Sequence, residues 1–599
     1  MLVNIQDVVD KSFDYIIVGG GTSGLTLAAR LSEDAETTVL VLEAGEANLD
    51  DPELLRPAMF DQHFTNPSYS WSHRTVKQKY TKDAQQDWIR GKGLGGSSAI
   101  NFMCWTNSPA EEINDLERLG NPGWNWSMFE RLQQKVERFV TPSKEVQAKL
   151  KIDFDSWTLG RDGAVNLTYP PNIEEGELKL QQTLINAGIP VAANPYGGDP
   201  KGAFFAANCH DPQTYTRSYA TTAYYIPNKY RLNLSVLVSA HANRILTTRA
   251  DDDSVTGGQS TYTANATKEI ILCAGALKTP QLLELSGFGA KDILDKLCIP
   301  VAKELPGVGN NVQEHVNIGP SFEVRDNIEW DTFDLLRDPC LAAKQLELYA
   351  AGSGLYTKGP LGFCFASLSM IYPDTDAFLD AAERSMQEKI ATCSPGLRDQ
   401  YKILFNRIRN GSPGFEFISL PKLMSLPNPP KPGKRYVTVM TLANYLFSRG
   451  TIHANTNDPS EDPEFDPHYF EEPIDLDVLV EMVKFARRLA EVPPFRDMIV
   501  GELNPGPEVK SDSELREWIM KYFSTTWHTA GSCSMLPEDK GGVVDPNLKV
   551  YGTSNIRVAD LSILPLHIAA HPQSTVYIIA ERAAELIRES STRQSTGRS

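Results

Sequence analysis

Residues 13–45 read FDYIIVGGGTSGLTLAARLSEDAETTVLVLEAG, and this stretch decides the fold. It opens on Tyr15–Val18, a short β-branched apolar run of the kind that forms a parallel strand buried on both faces. Three glycines follow as Gly19-x-Gly21-x-x-Gly24. Leu25, Ala28, Ala29 and Leu31 then recur at helical spacing, and Val39–Leu42 supplies a second apolar strand that ends at Glu43 and Ala44. Gly19 permits a tight turn, Gly21 lets a pyrophosphate approach the backbone, and Gly24 lets the helix pack closely on the strand. The helix start, at Thr22 and Ser23, turns free N–H groups toward phosphate. Glu43, 19 residues beyond Gly24, stands where a carboxylate accepts a hydrogen bond from a ribose hydroxyl. The stretch predicts a βαβ dinucleotide site in a Rossmann-like α/β domain. Spacing alone does not separate FAD from NAD.

The remaining bulk properties mostly exclude. A chain of 599 residues has room for two or more domains. A net charge of −18 argues against a nucleic-acid partner, which needs a basic face. The eight cysteines form no CxxC pair and no Cys/His cluster, so no metal site is expected. No run of about 18 apolar residues exists to span a membrane. The N-terminus lacks the charged and apolar regions of a secretion signal, so a cytoplasmic location is expected, or a secreted one if a leader was removed. The closing SSTRQSTGRS suggests a disordered tail over 591–599.

A second glycine cluster lies at 88–112, WIRGKGLGGSSAINFMCWTNSPAEE. Such a loop folds tightly and offers N–H groups and hydroxyls to a flat or anionic ligand, although alone it could equally be a surface loop. A third motif, GALKTPQLLELSGFG at 275–289, follows the strand-like KEIILCAGA. Together these resemble the two signature patterns of the glucose–methanol–choline (GMC) oxidoreductases. The likeness extends through LPGVGNNVQEH at 305–315, SRGTIHANTNDPSEDPEFDPHYF at 448–470 and VADLSILPLHIAAHPQSTVYIIAERAAELI at 558–587. Ser108 and Phe288 depart from the usual signatures without removing a chemical group.

The resemblance implies FAD. It implies that Gly19, Gly21, Gly24 and Glu43 hold the ADP half, with Ala242 against the adenine. It places Gly91, Gly95, Gly96, Ser97, Ser98 and Asn101 along the pyrophosphate and flavin, and Asp560, Leu561, Gln573 and Ser574 on the C-terminal segment that returns to the cofactor. Some members link FAD covalently through a histidine just before the motif asparagine. That position is Ile100 here, so non-covalent FAD is expected. The family fold is two interleaved domains: an FAD-binding α/β domain from 12–55, 90–160, 230–316 and 540–590, and an α+β substrate domain with an antiparallel sheet from 56–89, 161–229 and 317–539. The segment 325–440, rich in helix-like stretches and Pro/Gly breaks, is the expected source of lid and substrate pocket.

WHTAGSCSM at 527–535 holds His528 in a run of small residues. On its own this reads as a core histidine in a small-residue turn rather than a base. The resemblance places it over the reactive edge of the flavin. The family's second catalytic position falls on His571 when counted from Asp560, with His567 a rival four residues earlier. Alcohol oxidation needs such a pair, because a hydroxyl proton must leave while a hydride goes to flavin N5. Imidazole suits the base, and a partner must orient the substrate oxygen. His528 is the expected base and His571 the positioning partner. Trp527 and Phe102 flank them, either lining substrate access or packing the core. The expectation is oxidation of a primary aryl or conjugated alcohol, with oxygen or a quinone as acceptor. The alternative is a non-redox or biosynthetic member, a lyase or cyclase, that retains FAD.

Overall fold

The structure is a computed structural model that describes residues 1–59, 62–247 and 261–595. Strand Ser12–Val18 lies at the centre of a five-stranded sheet. It pairs in parallel with Val39–Leu42 on one side and Asn265–Leu272 on the other. Leu234–Leu237 and Ile556–Val558 extend the two edges, again in parallel. Residues Ile17, Val39, Leu40 and Val41 are fully buried, as the unbroken apolar runs require. Helix Thr22–Leu31 packs against the last helix, Gln573–Ser595, and Arg30 Nε donates to Glu581 Oε1 at 2.7 Å. The strand at 556–558 and the last helix thus return the C-terminal segment to the first motif, more than 500 residues away.

A second sheet of seven strands runs antiparallel. Its main path is Gly362–Ala366, Phe415–Leu420, Tyr436–Ala443, Val316–Ile318 and Ser524–Thr525, with Ser321–Val324 and Ile499–Asn504 continuing at the far end. The fold is therefore an FAD-type α/β domain joined to a domain with an antiparallel sheet. Side chains alternate along each strand, so Glu416, Ile418 and Leu420 share one face while Phe415, Phe417 and Ser419 take the other. Phe417 meets Phe485 of helix Pro473–Leu489, ring centroids 5.1 Å apart. The opposite face, with Met440 beside Ile418 and Leu442 beside Glu416, roofs the cavity between the domains.

Two expectations change here. The segment 325–440 does form helices, at Pro339–Ala350, Thr375–Ser385, Gln387–Thr392 and Pro395–Arg409. None of them reaches the cavity, whose wall from this segment comes from Pro360, Ile418, Leu420, Met424 and Met440. The helices pack on one another and on short helical turns such as Phe333–Arg337 and Leu355–Thr357, while the strands present alternate residues inward. The expected tail begins as helix, since the last helix runs to Ser595. Residues 596–599 lie outside the described residues.

Candidate active site

A cavity of about 480 Å³ runs from the first glycine motif to the face of the antiparallel sheet. Its floor is backbone. Gly19 takes φ +105°, and a Cβ there would come within 2.4 Å of the Cys273 carbonyl oxygen. A Cβ on Gly24 would lie 1.9 Å from the Gly19 oxygen, so the helix can seat on the turn only with glycine at this position. Gly21 is different: a Cβ would meet only Gly96 Cα, at 3.7 Å, and the residue borders the cavity with Thr22 and Ser23. Glu43 and Ala44 also line it. Glu43 is spent largely on the protein itself, Oε2 accepting from Gly20 N at 2.8 Å and Oε1 from Gly45 N at 2.8 Å and Gly93 N at 3.0 Å. It locks the two glycine loops together, and any ribose contact uses only the acceptor capacity left over. Burial pushes its pKa up against these donors.

The second loop forms the next wall through Gly91, Gly96, Ser97, Ser98 and Asn101. Gly95 does not reach the cavity; it takes φ +92°, where a Cβ would strike the Tyr219 ring at 2.6 Å. Ala242 borders the outer end. Leu561 and Gln573 line the inner part, as does Asp560. The Asp560 carboxylate accepts from Gly275 N at 2.9 Å, Thr279 Oγ1 at 2.6 Å and Ser562 N at 2.9 Å, tying the third motif to the C-terminal segment. Ser574 points away, its hydroxyl donating to the Thr106 carbonyl at 2.9 Å. Asn101 Nδ2 donates to Gln573 Oε1 at 2.7 Å. Among the described residues this leaves Gln573 Nε2 a buried donor with no hydrogen-bond partner. A buried amide without an acceptor is costly, and a flavin carbonyl on this wall would satisfy it. The glycine trough and this orphaned donor fit a flavin dinucleotide.

Above the inner end stand His528 and His571, ring centroids 5.0 Å apart. His571 Nε2 donates to Glu416 Oε1 at 2.9 Å, leaving Nδ1 to the cavity. Glu416 is itself buried, on the inward face of its strand, and gives His571 a counter-charge if the ring carries a proton. His528 is held from three sides. Its N–H donates to Glu314 Oε1 at 2.6 Å, its carbonyl accepts from His567 Nε2 at 2.7 Å, and its Nδ1 meets His315 Nδ1 at 3.0 Å. The last contact assigns tautomers. If His528 is to present a bare Nε2, its Nδ1 carries the proton and His315 Nδ1 accepts it. Burial, with His571, His567 and Arg90 adding repulsion, holds the His528 pKa well below the usual range. The ring is neutral at pH 7. The preceding Trp527 sits at φ +60°, a strained conformation for a bulky residue, secured by its indole N–H on the Asp87 carbonyl at 2.8 Å.

His567 is the rival from the count, and the structure places it in support. It packs against His315, ring centroids 3.7 Å apart and the planes tilted by 33°, and lies outside the cavity lining. Trp527 and Phe102 do line the cavity, and Phe64 bridges them, 4.7 Å from the Trp527 ring and 5.9 Å from the Phe102 ring. Four site residues escape sequence reasoning. His315 and Glu314 lie inside a recognised motif, but their partner His528 is 213 and 214 residues away. Phe64 carries no signal. Glu416 has one: a lone acid in the apolar strand FEFISL.

A glycine cradle for a dinucleotide, a partnerless amide on its wall and two histidines above it define a flavin-dependent oxidoreductase. Sequence comparison agrees. The family description "GMC oxidoreductase" matches residues 13–317 and 447–580. A GMC oxidoreductase family protein of Malassezia sympodialis is 32% identical, over 98% of this chain and 94% of its own. The dehydrogenase mpl7 of Monascus purpureus is 31% identical over 98% of each. Among solved structures, an FAD-dependent oxidoreductase from Chaetomium thermophilum superposes with a TM-score of 0.87 at 29% identity, over 97% of this chain and 100% of that one. A fungal aryl-alcohol oxidase does so at 0.83 and 26% identity, over 97% and 99%. The chain belongs to the GMC oxidoreductase family, whose members bind FAD.

Proposed function

We propose that this protein oxidises a primary alcohol on an aromatic or conjugated skeleton to the aldehyde, using non-covalent FAD. The observation that carries the reading is the unequal histidine pair: one neutral ring, His528, and one ring backed by a buried carboxylate, His571 with Glu416. Environments that differ in this way divide base from donor. His528 takes the hydroxyl proton. His571 holds the substrate oxygen through Nδ1 and stabilises its developing negative charge, while Glu416 keeps that ring in place. Bound FAD supplies the acceptor for the hydride that leaves the same carbon. The chamber over the pair is apolar, faced by Ile418, Leu420, Met440 and Leu442 and entered past Phe64, Phe102 and Trp527. A flat apolar substrate suits it better than a sugar or a quaternary amine. The likeness to an aryl-alcohol oxidase points the same way. Ile100, where some relatives carry a linking histidine, supports non-covalent attachment.

The acceptor is oxygen or a quinone, and the relative called a dehydrogenase favours the second. Anaerobic mixing with a panel of aryl alcohols tests the reaction. Bleaching of the flavin band is expected, at least a hundredfold slower in His528→Ala, which keeps its FAD. Full-rate bleaching in that variant would remove His528 from the chemistry. Substrate turnover without bleaching would replace oxidation with a lyase or cyclase reaction. Peroxide released on adding oxygen then separates oxidase from dehydrogenase.

A further inference from the structure

Arg217 is buried and, among the described residues, has no carboxylate partner. Its Nε donates to the Leu54 carbonyl at 3.0 Å. One terminal nitrogen donates to the Asn101 carbonyl at 2.9 Å, to Asn101 Oδ1 at 2.7 Å and to the Ser98 carbonyl at 3.3 Å. The other is buried and has no hydrogen-bond partner among the described residues. The nearby ionisable groups, Cys209, Tyr219 and Tyr577, are all pushed by burial toward their neutral forms. Arg407 and Arg557, equally buried, meet Asp115 and Glu269 at 2.8 and 2.5 Å. Arg449, among the described residues, has no direct carboxylate partner; it donates to the Leu446 and Ser448 carbonyls and lies near Asp475 and Glu472. A buried cation without a counter-ion is expensive, and the missing negative charge has to come from something the site binds.

The position says which. Asn101 lines the cavity, holds Gln573 through its Nδ2, and takes the Arg217 bonds on its oxygen atoms. Two partnerless donors, Gln573 Nε2 and one Arg217 nitrogen, therefore flank a single wall residue. That wall is the inner one, below the catalytic histidines. Alcohol oxidation breaks the substrate C–H bond, sends its electron pair and hydrogen to the flavin, and sends the hydroxyl proton to His528. The neutral oxidised ring thereby gains one negative charge. In a low-dielectric interior a fixed cation one residue behind the wall acts strongly on that charge. We propose that Arg217 is the counter-charge for the reduced flavin and raises the reduction potential of the cofactor. This rests on FAD occupying the cavity, but not on the identity of the alcohol.

The test uses full-length holoenzyme and a chemical reductant, so it stands apart from the proposed substrate. Midpoint potentials of Arg217→Met and Arg217→Lys are measured against reference dyes. The neutral variant is expected to lose at least tenfold in the equilibrium constant for two-electron reduction, about 30 mV. The lysine variant is expected to stay within threefold of the parent. An unshifted potential in Arg217→Met overturns the proposal, as do equal losses in both variants. Weaker FAD retention at unchanged potential assigns the charge to the pyrophosphate, and also overturns it. Should Arg217→Met hold no FAD, the unaltered enzyme decides: its reduced flavin is expected to show the absorption of the anionic form at pH 6, and a neutral-form spectrum refutes the role.

Discussion

Backbone makes the cofactor cradle, and side chains make the chamber above it. In the cradle, Gly19, Gly24 and Gly96 bring main chains so close that a single methyl would collide, and Glu43 staples the two loops through N–H groups. In the chamber, His315, Glu416, His528, His567 and His571 arrive from four separate segments and meet through ring nitrogens and carboxylate oxygens. The difference teaches where each region is vulnerable. Damage to the cradle costs the bound cofactor and the fold around it. Damage to the chamber costs the reaction and leaves the cofactor in place.

The largest effect that would test this contrast is in the cradle. Gly24→Ala puts a Cβ 1.9 Å from the Gly19 oxygen, against backbone that cannot move aside. Expression should give protein that carries no FAD or does not fold, read by flavin absorbance per chain. A stoichiometrically loaded variant would break the comparison. Next comes the chamber. Glu416→Gln removes the negative charge behind His571 while keeping a group able to accept its N–H. We expect flavin reduction to slow by roughly ten- to a hundredfold, the scale of a misplaced catalytic group, with FAD content unchanged. An unslowed variant would leave His571 without need of its carboxylate.

A smaller effect concerns pH. Burial holds the pKa of His567 down at about 4, and those of His315 and His528 well below 6.5. The unfolded chain therefore binds more protons than the folded one below about pH 6.5. The stability these rings contribute is complete above that pH and is lost as pH falls toward the folded values. Buried Glu177 and Asp475, raised to about 7 and 6, act in the opposite sense, so the informative quantity is a difference. His567→Met should lose less of its thermal midpoint than the parent between pH 7 and pH 5. Parallel losses would show that this ring carries no buried-neutral penalty.

Much of the cradle was legible because its physics is local. A turn that needs glycine, a helix start and a strand-end acid lie within some 30 residues, and each leaves a residue-type signature. Even there the partners were not legible: Glu43 was expected on a ribose and is bonded to three backbone N–H groups. Gly95 and Ser574, expected at the cofactor, serve packing behind the wall. The chamber was legible in His528 and His571, with Phe102 and Trp527 beside them, and those through resemblance. Glu416 was visible as an oddity in an apolar strand but not as a partner, because its register against the sheet sets which face it takes.

By itself, then, the sequence pointed to the cofactor-binding fold, to the family through its motifs, and to two histidines that the structure places on one cavity. Tertiary structure alone decided that His528 is a neutral ring and His571 a carboxylate-backed one. It alone brought His315 and His567 in behind His528, and left Arg217 behind Asn101 of the cavity wall with no carboxylate partner among the described residues. The reason is distance along the chain. Backbone conformation is set by neighbours in sequence, whereas burial, counter-charge and tautomer are set by neighbours in space, which here lie 39 to 213 residues apart.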